Sequence, residues 1–175
     1  MLPDLTCLKL DTDRLRLESI SDAYTDAIFG EFTPTIATYM YPAPAQERTD
    51  TEQFVTEAVR NNRQGRDLTM VILDRQTGEF LGCIGLHNLT EPRPAFGIWV
   101  KESAHMHGYG REAVRALKRW ADHYLNYEYL TYPVDSRNMA SRKIPESLGA
   151  CIVNQYDGTG GMGQPLTLIT YRIDR

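Results

Sequence analysis

The 175-residue sequence has few cysteines, and they form no framework. Cys7, Cys83 and Cys151 lie far apart, no CxxC pair occurs, and an odd count does not suit a set of structural disulfides. Reduced, buried thiols and a cytoplasmic location are the expectation. Long apolar runs are also missing. No stretch approaches the roughly 18 consecutive apolar residues of a membrane-spanning helix. The start, Met1-Leu2-Pro3-Asp4-Leu5, lacks the basic and then apolar layout of a secretory signal. No membrane partner is expected. A basic excess is absent too: the net charge is −4. That removes the electrostatic case for a nucleic-acid partner. Repeats, low-complexity tracts and interdomain linkers are not seen.

What remains is ordinary globular composition, 42% hydrophobic and 24% charged. With this length it fits one α/β domain over residues 1–175 with a full core. Leu15 and Leu17 alternate with Arg14, Arg16 and Glu18 and predict a first strand. Ser21-Asp22 opens a helix to about Phe29, and the aromatic, proline-closed stretch 31–44 is short helix or irregular. A helix from Asp50 or Thr51 carries Phe54, Val55, Ala58 and Val59 on one face. Met70–Leu73 and Phe80–Leu86 flank the turn 74–79 as a hairpin, and Phe96–Val100 is the next strand. Gly108 to about Tyr124 is the clearest helix, with Val114, Leu117, Ala121 and Tyr124 as its apolar stripe. A strand at Tyr129–Val134, a helix from Asn138 to Leu148 ending at Gly149, and two strands at Ile152-Val153 and Leu166–Ile173 complete the chain.

The chemistry is concentrated between Phe96 and Val114: a strand, a short loop, Gly108-Tyr109-Gly110, then an amphipathic helix. First-turn N–H groups have no intrahelical partner, and the helix dipole adds positive charge there, so this arrangement suits a pyrophosphate. A lone glycine pair also serves simply to shape a turn. Gly108 to Ala113 fits G-x-G-x-x-A, but that dinucleotide fingerprint follows a strand directly, and here seven residues intervene. No G-x-x-x-x-G-K-[ST] loop occurs. The second glycine cluster, 158–163, precedes a strand and reads as a flexible hairpin loop. His105-x-His107 has no third ligand at metal spacing, so no metal is expected.

The segment His105-Met106-His107-Gly108-Tyr109-Gly110 resembles the pyrophosphate motif [Q/R]-x-x-G-x-[G/A] of the GNAT acetyltransferase superfamily, with His105 in place of Gln or Arg. Val134 to Gly149, with Asn138, Ser141, Arg142 and Leu148-Gly149, is similar to the V-x-x-x-N-x-x-S-R…L-G pattern of the branch that includes ribosomal-protein N-terminal acetyltransferases. The resemblance runs from about Leu15 to the C-terminus. It implies an α/β (α+β) fold: a mixed, mostly antiparallel sheet of six to seven strands, about four helices, and a V-shaped opening between strands 4 and 5.

It also implies acetyl-CoA as cosubstrate. Trp99 and Val100 would offer backbone groups to pantetheine and thioester. Backbone N–H groups of His107, Gly108, Tyr109, Gly110 and Arg111 would hold the pyrophosphate, with His105 counted among the cofactor-binding residues at the motif's first position. Asn138 would bind the pantetheine arm, and Ser141 would protonate the leaving thiolate. Asn138 is also a preferred helix cap. Many relatives place a basic glutamate where this chain has Ala95. His87, at the end of the neighbouring strand, is the candidate base, ahead of Glu91 at the hairpin tip; the third alternative is water, with no side-chain base. Tyr39, Met40 and Tyr41 fall where relatives build the acceptor pocket. Pro145, inside the last helix, predicts a bend and a Ser141 carbonyl without its helical partner.

Two function classes follow. One is an N-acetyltransferase acting on a primary amine, either a protein N-terminus or a small molecule. The other is a GNAT-shaped domain that binds acetyl-CoA as sensor or scaffold without turnover. The reading also admits a homodimer.

Overall fold

The computed structural model describes residues 2–175. The strands are β1 (Lys9–Asp11), β2 (Leu15–Ser19), β3 (Leu68–Asp74), β4 (Phe80–His87), β5 (Ala95–Val100), β6 (Leu130–Asp135), β7 (Cys151–Thr159) and β8 (Pro165–Ile173). The helices are α1 (Thr25–Glu31), α2 (Pro34–Ala37), α3 (Arg48–Arg63), α4 (Tyr109–Tyr124) and α5 (Met139–Glu146). All eight strands form one sheet in the order β1-β2-β3-β4-β5-β6-β8-β7. Among the described residues only the β5–β6 pairing is parallel. The extra strand over the six to seven expected is β1, a three-residue edge piece. The short α2 accounts for a fifth helix.

Two apolar layers cover the sheet. On one face Leu15, Leu17, Met70, Ile72, Ile84, Leu86 and Phe96 pack under α4, with Ile144 of α5 alongside. On the other, Ile20, Val71, Leu73 and Cys83 meet Ile28 of α1 and Val55 and Ala58 of α3. In α3 the inward row is Thr51, Val55, Ala58 and Asn62, while the expected Phe54 is exposed. In α4, Trp120 is buried and Tyr124 is exposed, against expectation. Tyr124 is the last helical residue, and Leu125 turns into the core in its place.

The feature that positions the site is the parting of β5 from β6. Their register contains a single pair, Ala95↔Thr131. The Thr131 N–H reaches the Pro94 carbonyl at 2.9 Å, so it faces β5. Two residues on, the same side of β6 is occupied by Pro133, which has no N–H to give. The ladder therefore stops, and β6 continues beside β8 alone.

Two further expectations change, those for the thiols and for the glycine-rich turn. Cys83 is buried, but Cys7 and Cys151 are exposed; all three thiols are free. Pro145 lies inside α5 and has no N–H for the Ser141 carbonyl, as expected, and α-helical bonding resumes beyond it, with the Ser147 N–H on the Lys143 carbonyl at 3.0 Å. The glycine-rich turn between β7 and β8 is docked. The Gly161 N–H donates to Tyr41 O at 2.7 Å, and the Gln164 amide donates to Ala37 O and Met40 O, each at 3.2 Å. A Cβ at Gly161 would stand 2.7 Å from the Ala43 nitrogen, so this close approach requires glycine.

Candidate active site

The opening starts where Phe96 and Tyr132 leave the last β5–β6 pair, their rings 6.1 Å apart. Along β5 the backbone groups alternate. The Lys101 N–H bonds to Leu81 O at 2.8 Å, so odd-numbered residues of β5 face β4. The Trp99 carbonyl accordingly lies against Gly82, 2.1 Å from where a Cβ would stand. Ile98 and Val100 present their backbone groups to the opening, and Trp99 does not. The Trp99 ring packs beside Phe32 and Phe80 on the α1–α3 face. Strand alternation alone could have separated Ile98 from Trp99 in the sequence.

The loop into α4 is built from its own backbone. His105 Nε2 donates to Val100 O at 2.7 Å, and His107 Nδ1 to His105 O at 2.6 Å. The imidazoles thus shape the loop. The His107 ring stacks on Tyr109, and the Arg14 guanidinium lies 4.8 Å from the same ring. Arg14 also donates to His107 O at 2.9 Å and pairs with Glu112 at 2.7 Å. Met106 and Gly108 both have left-handed φ, +66° and +76°. Gly108 is the cap of α4, with no side chain bonded to it. Among the described residues, the N–H groups of His107, Gly108, Tyr109, Gly110 and Arg111 donate to no backbone carbonyl. This is a concave run of donors at a helix start, the geometry that takes an anion.

Gly110 sits at a tight junction. A Cβ there would stand 3.0 Å from Ile144 Cδ1 and 3.7 Å from Ile98 Cδ1. It therefore marks where side chains of α4, α5 and β5 converge. Asn138 caps α5, its Oδ1 accepting the Ser141 N–H at 3.2 Å. Ser141 Oγ lies 2.8 Å from the Tyr132 hydroxyl. The exposed Arg111 projects from the first turn of α4.

His87 sits on the other face of the sheet, the one bearing Cys83 and Trp99. Its Nε2 lies 3.1 Å from where a Cβ of Gly97 would be, and 3.4 Å from that of Gly85. Two glycines on adjacent strands thus make room for the imidazole to lie over β4 and β5. Its register partner is Ala95, and Asp67 Oδ1 stands 3.8 Å from its Nδ1. Glu91 is exposed in the hairpin turn. The structure thus groups the α4 loop, the end of β5 and the start of α5 on one face, while His87 lies on the other. Tyr39 stacks under Arg137 at 5.2 Å near the β7–β8 turn, and Tyr41 is exposed.

Tyr132, Asp67 and Arg14 carried no sequence signal. Arg14 meets Glu112 across 98 positions, and no local pattern encodes such a contact. Among the described residues, no group of three or more His, Cys, Asp or Glu could hold a metal ion, and no helix is long and apolar enough to cross a membrane.

Residues 14–150 match the acetyltransferase (GNAT) domain family, and the chain belongs to that family. The chain is 27% identical over 150 residues to the uncharacterized protein YkkB of Bacillus subtilis, covering 81% of this chain and 84% of YkkB. Its fold is shared with RimL, a ribosomal L7/L12 alpha-N-protein acetyltransferase solved with coenzyme A. That match has a TM-score of 0.85 at 14% identity, over 95% of this chain and 98% of RimL. It is also shared with the microcin C7 self-immunity acetyltransferase MccE, solved with acetyl-CoA and AMP. Here the TM-score is 0.82 at 13% identity, over 94% of each chain.

Proposed function

We propose that this protein transfers the acetyl group of acetyl-CoA to a primary amine by direct attack on the thioester. The observation that carries the reading is the run of unpaired N–H groups from His107 to Arg111, set beside the opening between β5 and β6. In this reading the pyrophosphate occupies that run, where the helix dipole and free donors favour negative charge. The pantetheine arm extends along the unpaired edge of β5, with Asn138 of α5 on its other side. A backbone N–H of Ile98 or Val100 stabilises the carbonyl oxygen as charge develops on it. Ser141 donates to the departing sulfur. His87 takes the amine proton, approaching from the face that bears α1 and α3.

RimL acts on ribosomal L7/L12 at the alpha-amino group, and MccE is a self-immunity acetyltransferase. These names frame the acceptor question as protein N-terminus against small molecule. Calorimetry with acetyl-CoA, followed by CoA-thiol release over N-terminal peptides, polyamines, amino sugars and amino acids, tests the reading. Binding with release for one amine class supports it. Binding without release for any amine favours the sensor or scaffold role. Absence of binding refutes both.

A further inference from the structure

Tyr132 stands at the apex of the opening, one residue beyond the Thr131 that closes the β5–β6 pairing. Its side chain is buried, with 2% exposure. A buried phenol needs an acceptor for its proton. Among the described residues its hydroxyl has one partner, Ser141 Oγ at 2.8 Å. The 2.8 Å contact fits either direction of donation; burial assigns it to the phenol, which has no other acceptor, whereas Ser141 is partly exposed. A helical serine commonly returns its own proton to a carbonyl three or four residues back. Ser147 does so, on Ile144 O at 2.7 Å, whereas Ser141 makes no such bond. The Ser141 proton is left uncommitted.

We propose that Tyr132 is a positioning residue for acyl transfer: its phenol donates to Ser141 Oγ and keeps the serine proton available to the sulfur that leaves acetyl-CoA. This rests on the reading of Ser141 given above. As the C–S bond breaks, sulfur keeps the electron pair and receives the Ser141 proton. Water in the open cleft then restores that proton to the serine, and the hydroxide so formed is neutralised by the amine proton that His87 took up. Tyr132 gives up nothing. Burial pushes its phenol up to about 12, against the opposing pull of the Ser141 hydrogen bond, so it stays a donor throughout. Its hydroxyl is also not the sole anchor of α5. Arg142 holds that helix to Tyr171 Oη at 3.1 Å and to Ser136 O at 2.9 Å.

The test uses free CoA as probe and follows the bound thiol by thiolate absorbance as pH rises. A donor aimed at sulfur favours the thiolate, so removing it moves the titration upward. Ser141→Ala raises the midpoint by about one unit and Tyr132→Phe by about half a unit. The double variant matches Ser141→Ala alone, and CoA affinity below the titration stays at the wild-type level. Tyr132→3-fluorotyrosine, which keeps the packing and sharpens the donor, moves the midpoint down. A Tyr132→Phe midpoint at the wild-type value, with Ser141→Ala raised, overturns the proposal and leaves the Ser141 reading standing. If Tyr132→Phe does not fold, an unmoved fluorotyrosine midpoint has the same force. An unmoved midpoint in Ser141→Ala overturns both, as does failure of CoA to bind the wild-type protein.

Discussion

Asp67 Oδ1 stands 3.8 Å from His87 Nδ1 and accepts the Asn88 N–H at 2.8 Å. The other carboxylate oxygen takes the Asn61 amide at 3.0 Å, so the charge behind the imidazole is fixed in place. His87→Ala is expected to lower turnover about 100-fold with acetyl-CoA affinity unchanged. Asp67→Asn lowers it less, by about tenfold, because the imidazole is retained and only its orientation and charge partner are lost. The pH–rate profiles of the two variants check this. A wild-type acid limb in His87→Ala returns His87 to a plain half-buried strand-end residue.

Asp135 closes β6 and is fully buried. It accepts the Arg137 Nε at 2.8 Å, the Arg137 N–H at 2.9 Å and the Thr167 N–H at 3.0 Å. The Arg137 hydrogen bond, opposed by burial, holds its carboxyl below the usual carboxylate range. A carboxyl depressed in the folded state stabilises the fold above its unfolded pKa, and that contribution is lost as pH falls through the folded value. Arg137 is half exposed, which screens part of the pair. Asp135→Asn is expected to cost about 1–3 kcal/mol at neutral pH. The deficit should shrink as pH drops below about 3.9. Urea unfolding at neutral pH and in acid measures both, and a deficit constant into acid contradicts the assignment.

Gly110 separates packing from ligand space. Ile144 Cδ1, the atom a Cβ would press, is the far end of a mobile side chain. Gly110→Ala should therefore fold with stability within about 1 kcal/mol of wild type and bind acetyl-CoA normally. Gly110→Leu overpacks the α4–α5–β5 junction and should cost about 1–3 kcal/mol. Thermal unfolding beside calorimetry distinguishes the cases. Lost affinity in a fully stable Gly110→Ala would mean that the ligand itself needs the empty space.

The elements were legible where periodicity was strong. The α4 stripe and the β4–β5 hairpin follow from residue spacing, and Gly108 is at the left-handed position its type suggests. The parting of β5 and β6 was legible only through family resemblance, although Pro133 encodes part of it. Contacts formed by the sheet across long separations were not. Tyr132 reads as one apolar strand residue until α5 brings Ser141 to its hydroxyl. The Gly158–Gly163 stretch reads as loose polar turn until Tyr41 and Ala43 come to rest on it. Local pattern reports which face a residue takes, and partners are set by topology.

The pairing of Arg14 with Glu112 gives the last prediction. Glu112 lies in the first turn of α4, beside the donors assigned to pyrophosphate. An anion there faces a carboxylate unless that charge is offset, and Arg14 offsets it at 2.7 Å while also bonding His107 O. Burial raises the Glu112 carboxyl, but the Thr12 hydroxyl, the Arg14 N–H and the Arg14 guanidinium outweigh it and leave it below the usual range. It is therefore ionised at neutral pH. Arg14→Ala removes the offset and one restraint on the loop, and should weaken acetyl-CoA binding by about tenfold. Glu112→Gln in the same chain removes the exposed repulsion, so the double variant should recover part of that loss. Glu112→Gln alone should raise affinity modestly, because the carboxylate is gone and Arg14 is freed toward the phosphate. Calorimetry at low and high salt checks the electrostatic origin, since the Arg14→Ala deficit should shrink as salt rises. If the double variant binds no better than Arg14→Ala, the arginine acts by holding His107 O in place, and the charge of Glu112 does not reach the site.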